Sequence, residues 1–292
     1  VPELPDVEVY RDALETRVVG QVLARVELRN PFLLRTAVPP LEVVHGKPVR
    51  AIRRLGKRLV FAFDDDLHLV LHLMIAGRLA WLDPGRKPPG RITLALFHFA
   101  HGALAFTETG TKRRASLHCV QGAHALSAFD MGGLDVQRAD LAAFAARLTA
   151  ESHTVKRALT DPRLFDGIGN AYSDEILHRA RLSPLALTRK LDAPAIARLH
   201  AAVRATLAEW TVRLRDEAGA TFPQKVTAFH PQMAVHGRFG LPCPVCGAPV
   251  QRIVYAENEA NYCARCQNGG VVLADRALSR LLHKSFPRTL DG

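Results

Sequence analysis

Cys243-Pro244-Val245-Cys246 and Cys263-Ala264-Arg265-Cys266 form two C-x2-C pairs sixteen residues apart. Two-residue gaps let each pair wrap a tight knuckle around a tetrahedral ion, with the backbone turned by residues such as Gly247. The intervening Ala248 to Tyr262 suits a β-hairpin, with Val250, Ile253 and Tyr255 apolar and Glu257-Asn258-Glu259 as its turn. A redox dithiol is the rival use of such a pair, and two matched pairs weigh against it. Four thiolates leave no open coordination position, so a single structural Zn2+ is expected to fold a ribbon and to perform no chemistry. The fifth cysteine, Cys119, stands in an apolar stretch and is expected to be buried as a small hydrophobe.

Upstream of the ribbon, Ala220 to Pro242 holds Gly, Pro, His and Lys with little periodicity and reads as a long loop. Before it, Ile196, Leu199, Val203, Leu207, Trp210 and Leu214 recur on one helical face, with Asp192 as cap and Gly219 as stop. The first half reads differently. Val22 to Leu28, Leu59 to Phe63, Leu67 to Leu73, Ile92 to Phe99 and Ala103 to Thr107 are short runs rich in Val, Leu, Ile and Phe, spaced as in an antiparallel sandwich or barrel. A helix over Pro5 to Val18 precedes them, with Pro5 in the first turn and Gly20 beyond the end. The expected fold class is α+β: an N-terminal β-sandwich over 1–132, a helical segment and loop over 133–240, and the ribbon over 241–292.

The chain has 292 residues, 48% hydrophobic and 23% charged, which excludes a disordered or fibrous protein. No run of about 18 apolar residues occurs, so no transmembrane helix is expected. The N-terminus has neither the order of a secretory signal nor the composition of a transit peptide, and a cytoplasmic location follows as an expectation. Lys and Arg total 39 against 28 Asp and Glu, a formal charge of +11, which points to a polyanionic partner. Nothing demands a dimer, and a monomer is expected.

Two motifs carry chemistry. In Pro2-Glu3-Leu4-Pro5, a free N-terminal proline is a secondary amine able to attack a sugar aldehyde carbon and form an iminium, with Glu3 as general acid and base. Read blandly, the same residues are a proline-rich lead into a helix. In Asp166-Gly167-Ile168-Gly169-Asn170-Ala171-Tyr172-Ser173-Asp174-Glu175, two glycines turn the backbone tightly before a helix start, a ready phosphate site to which Asn170 adds an amide. The bland alternative is a helix-helix turn. His72, His118 and His178 sit among apolar neighbours and read as satisfied core or surface groups. The runs Arg53-Arg54, Arg86-Lys87 and Lys112-Arg113-Arg114 are solvated faces or nucleic-acid contacts.

These motifs occur in one order with a basic Arg54-Leu55-Gly56-Lys57-Arg58 strand, and together they resemble the formamidopyrimidine-DNA glycosylase and endonuclease VIII family of base-excision repair. Leu4 places the start nearer the formamidopyrimidine branch. The resemblance implies damaged DNA as partner and a bifunctional glycosylase and abasic-site lyase. Pro2 would be the nucleophile, Glu3 the acid and base, and Lys57 a phosphate contact beside the lesion. Lys156, Gly169 and Asn170 would belong to a helix-two-turn-helix element gripping the same backbone. Removal of Val1 is expected to expose Pro2.

The departures are specific. Asn258 stands at the hairpin tip where the family usually has an arginine, with Arg252 and Arg265 nearby. Ile75 follows Met74 where a void-filling methionine is usual, Thr107 to Arg114 lacks the expected Arg and Phe, and Thr221 to Met233 does not match the usual lesion-reading loop. Two alternatives therefore stay open: an abasic-site lyase with little glycosylase activity, and a non-catalytic binder of damaged DNA.

Overall fold

A computed structural model describes residues 2–223, 226, 229–255, 258–273 and 289–290, with the backbone alone at Tyr255 and Asn258. Val1, the expected turn residue Glu257, and 224–228 apart from Val226 lie outside them. The chain forms two units. One comprises Val1–Met131 with Trp210–Ala228, the other Gly132–Glu209 with Phe229–Gly292.

The first unit begins with α1 (Leu4–Val18), which starts one residue earlier than the sequence suggests. It buries Leu4, Val7, Tyr10, Leu14 and Val18, a three- and four-residue spacing that makes one apolar stripe. The strands are β1 (Val22–Leu23), β2 (Arg25–Leu28), β3 (Lys47–Pro48), β4 (Ala51–Leu55), β5 (Arg58–Ala62), β6 (Leu67–His72), β7 (Gly77–Leu82), β8 (Thr93–Phe99), β9 (Gly102–Glu108) and β10 (Ser116–Gln121). They pair as two four-stranded antiparallel sheets, β10-β6-β5-β4 and β2-β8-β9-β7, with β1 and β3 as a small ribbon. Phe61 of the first sheet stacks on Phe97 of the second with ring centroids 6.0 Å apart, and Leu59, Leu71, Leu104 and Phe106 share that core. This is the expected sandwich, and Cys119 is fully buried in it. Tyr10 fastens α1 to the second sheet: its hydroxyl receives the Leu79 N–H at 3.3 Å.

The tail of this unit returns to α1 late in the chain. Phe222 lies 5.8 Å from the Tyr10 ring, Arg17 stacks over Phe222 and donates to the Ala220 carbonyl at 3.1 Å, and Arg215 pairs with Asp12 at 2.6 Å. A short helix, α2 (Ala123–Ser127), closes the N-terminal stretch.

The second unit is helical. It holds α3 (Leu141–Thr149), α4 (Val155–Thr160), α5 (Asn170–Ala180) and the first part of α6 (Ala193–Ala218), whose last turns belong to the first unit. The side chain of Asp192 accepts the Ala195 N–H at 2.8 Å, and Gly219 adopts φ +54°, so cap and stop fall where the sequence puts them. The ribbon follows as β11 (Gln251–Tyr255), β12 (Asn258–Tyr262) and α7 (Ala264–Asn268), with Gln251 paired to Tyr262 and Tyr255 to Asn258. Among the described residues, no helix is long and apolar enough to cross a membrane.

Candidate active site and metal centre

In the first unit, Pro2 and Glu3 are buried at the head of α1. Glu3 caps the helix, and Asp6 returns the favour by accepting the Glu3 N–H at 2.8 Å in a reciprocal capping box. Asp6 is fully buried, and among the described residues its Oδ1 has no hydrogen-bond partner. Burial pushes its carboxyl up to about 7, reinforced by the Glu3 charge and opposed by the hydrogen bond from the Glu3 N–H. A group able to hold a proton near neutral pH therefore adjoins the Pro2-Glu3 pair. In the sequence Asp6 reads as a first-turn acid that marks the helix start, and its place three residues after the cap is the signal for the reciprocal bond.

Lys57 stands in the turn between β4 and β5, where Gly56 takes φ +63° and spares a side chain the left-handed strain. Among the described residues the Lys57 ammonium has no hydrogen-bond or ion-pair partner. Arg54 holds the turn in place: it donates to Glu8 of α1 at 2.7 Å and to the Gly56 carbonyl at 2.9 Å. Burial resists ionisation of Glu8, but hydrogen bonds from Arg11 and Arg54 outweigh it and hold the carboxyl below its ordinary value. Of the basic run Arg53-Arg54, then, Arg54 is committed inside the fold. Beside it, His72 pairs across the strands with Arg58, and burial together with Arg58, Lys57 and His118 pushes its imidazole down to about 4. The ring is neutral at physiological pH.

Two loops project from this unit. Met74 adopts φ +52°, the Gly77 N–H donates to the Leu73 carbonyl at 2.9 Å, and a Cβ on Gly77 would lie 2.2 Å from that carbonyl oxygen. The turn thus admits only glycine there, and it leaves Ile75 52% exposed. In the other loop, the buried Glu108 accepts the N–H groups of Arg114 and Ala115 at 3.0 and 3.2 Å, so its carboxylate staples a stretch on which Lys112 and Arg113 are exposed.

In the second unit, buried polar side chains tie the helices to one another and to the ribbon. Lys156 does not extend toward solvent: its ammonium donates to Asn170 O at 3.1 Å, Ser173 Oγ at 3.0 Å and Asp174 Oδ1 at 2.5 Å. An ammonium has three donors, and all are taken. Lys156 therefore fastens α4 to the first turn of α5. Gly169 is the N-cap of α5, and Asn170 begins the helix but spends its side-chain amide on the Glu259 carbonyl of β12 at 2.9 Å. Asp174, fully desolvated, also accepts from His236 Nδ1 at 2.8 Å and from the Asn261 N–H at 3.1 Å. Glu175 accepts three consecutive N–H groups, those of Ala234, Val235 and His236, at 2.7 to 3.0 Å. Asp174 and Glu175 are thus hubs that tie the loop and ribbon to α5.

The four cysteine sulfurs converge. Cys243 and Cys266 Sγ lie 3.9 Å apart, Cys246 and Cys263 3.4 Å, and all four fall within 4.8 Å of one another. A tetrahedral zinc with bonds of about 2.3 Å requires sulfur separations of roughly 3.8 Å, so the donor set and spacing fit one zinc ion. Asn258 begins β12 at the tip opposite Tyr255. Arg252 stacks over Phe239 at 4.3 Å and lies 3.7 Å from Glu259.

A β-sandwich with a buried proline just ahead of its first helix, followed in the chain by paired helices and a four-thiolate ribbon, defines the helix-two-turn-helix, zinc-ribbon class of DNA-processing proteins. Residues 1–115 match the formamidopyrimidine-DNA glycosylase N-terminal domain, 133–220 its H2TH domain, and 240–269 the zinc finger found in FPG and IleRS. The formamidopyrimidine-DNA glycosylase of Thermus thermophilus is 35% identical over 283 residues, covering 92% of this chain and all of that protein. The crystal structure of the MutM (FPG) protein from Thermus thermophilus superposes with a TM-score of 0.77 at 33% identity, over 91% of this chain and 98% of that one. A Lactococcus lactis Fpg bound to DNA containing an abasic site gives 0.80 at 27% identity, over 91% and 99%. The chain belongs to the formamidopyrimidine-DNA glycosylase family. It is a DNA glycosylase and abasic-site lyase of base-excision repair, with a structural zinc site.

Proposed function

We propose that this protein binds damaged DNA and removes the damaged base with Pro2 as nucleophile. The Pro2 amine attacks C1′, the C1′–N bond to the base breaks, and the base leaves with a proton supplied from Glu3. The Pro2 nitrogen passes its proton to Glu3, which returns it to O4′ as the C1′–O4′ bond breaks; the ring-opened iminium acidifies C2′, and successive β- and δ-elimination break the 3′ and 5′ C–O bonds to phosphate. Lys57 holds a phosphate next to the flipped nucleotide, whose extrusion costs a few kcal/mol that such contacts help offset. Lys156 and Asn170 shape the start of α5 from within.

The observation that carries this reading is the placement of Pro2 and Glu3 at the head of α1, with the Lys57 turn tied to that helix through Glu8 and Arg54. Borohydride trapping on an oligonucleotide with one abasic site, followed by mass spectrometry of the N-terminal peptide, tests it. A reduced adduct on Pro2 is expected. Protein beginning at Pro2 that forms no adduct would refute the mechanism. Release of free base from an intact lesion separates the full glycosylase from an enzyme confined to abasic sites.

A further inference from the structure

One polar contact in the second unit reaches the metal ligands from outside the ribbon. His178, on α5 and 7% exposed, places Nε2 3.3 Å from Cys243 Sγ. The two residues are 65 positions apart, so the contact exists only because the ribbon docks on α5. Other ligand sulfurs draw hydrogen bonds from the ribbon's own backbone: the Cys266 N–H points to Cys263 Sγ at 3.4 Å, and an Ala248 backbone group reaches Cys246.

We propose that His178 is a positioning residue for the zinc, donating its Nε2–H to the Cys243 thiolate and thereby making metal occupancy and the seating of α5 one coupled event. Zinc bound to four thiolates carries a net charge of −2, and each N–H donor directed at a sulfur stabilises that charge. A thiolate has no proton to give, so a neutral imidazole beside it carries its hydrogen on Nε2. Two further hydrogen bonds make the docking continuous along α5. At its start, Asn170 holds the Glu259 carbonyl. Beyond its end, Gln267 donates to the Leu182 carbonyl at 2.9 Å while accepting the Cys263 N–H at 2.8 Å. His178 is the member of this set that touches a ligand atom. Metal loading consequently pulls on the helix whose first turn Lys156 and Asn170 shape.

The test uses the full chain and the variants His178→Phe, which fills the space without a donor, and His178→Gln, which keeps one. Zinc affinity is measured by competition with a chromogenic chelator. His178→Phe is expected to bind zinc 10- to 100-fold more weakly, with His178→Gln between it and the parent. A purely packing role predicts otherwise: thermal midpoints fall equally with and without metal, while zinc affinity stays within twofold of the parent, and that result overturns the proposal. If His178→Phe does not fold, His178→Met takes its place in the cobalt-substituted protein. A thiolate-to-cobalt charge-transfer band displaced from the parent's supports the hydrogen bond, and an unmoved band refutes it.

Discussion

Arg54 and Glu8 meet at 2.7 Å with side chains only 11% and 15% exposed, joining the second strand residue before Gly56 to the second turn of α1. The same guanidinium reaches the Gly56 carbonyl, so one side chain sets the distance between the helix that begins at Glu3 and the turn that presents Lys57. Arg54→Ala leaves Glu8 with Arg11 alone and is expected to cost about 2–3 kcal/mol in urea unfolding, below the range for a fully buried pair. Arg54→Lys keeps the charge but loses the fork. It should fold with nearly parental stability while KM for abasic-site cleavage rises on the order of tenfold. A parental KM in Arg54→Lys would show that the turn needs no clamp.

Asp6 contributes stability of a definite sign. Its carboxyl titrates at about 7 in the folded chain against 3.8 ordinarily, so the folded state binds the extra proton between those values. That contribution is fully present below about pH 4 and is lost as pH rises through 7. Asp6→Asn, neutral at every pH and still able to accept the Glu3 N–H, should be more stable than the parent at pH 8, by up to about 4 kcal/mol. Urea midpoints at pH 5 and pH 8 decide the matter, and equal pH shifts in the two proteins would count against it.

For Lys156, the internal bonding and a direct phosphate contact make opposite forecasts. Lys156→Ala leaves the desolvated Asp174 without its cation and is expected to destabilise the protein by about 3–5 kcal/mol. DNA binding should weaken, yet the slope of log affinity against log salt should stay at the parental value. A true phosphate contact would lower that slope by about one. Measuring affinity at several salt concentrations distinguishes them.

Ile75 is carried outward by a turn that Gly77 and the left-handed Met74 hold rigid. An apolar side chain so placed is suited to enter the gap left by an extruded base. Ile75→Ala should lower base release from an intact lesion on the order of tenfold, about 1.4 kcal/mol in activation free energy, while cleavage at a ready-made abasic site stays within about twofold. Equal losses on both substrates would place Ile75 elsewhere in the cycle.

What the sequence discloses depends on how local the cause is. The four cysteines announce themselves because ligand type and gap length are properties of adjacent residues, and α6 does so because its apolar period runs unbroken. β4 is harder: Ala51-Ile52-Arg53-Arg54-Leu55 puts two arginines in mid-strand, and only the fold shows that Arg54 turns to Glu8. The fate of Lys156 lies in Asp174, eighteen residues on, and that of Glu175 in N–H groups 59 to 61 residues away. Such pairs carry no periodicity. The same holds for α6, whose stripe continues without a mark through the point where it changes unit.

That shared helix has a consequence for inheritance. The chain passes from the first unit to the second after Met131, returns at Trp210 and leaves again after Ala228. A single genetic crossover cannot exchange one unit for a cousin's: a transplanted 1–131 would arrive without the Phe222 that packs on Tyr10 and the Arg215 that pairs with Asp12. Recombination between relatives therefore has to keep the two halves together, and new specificities are expected to arise by substitution within loops, as at Ile75, more readily than by shuffling.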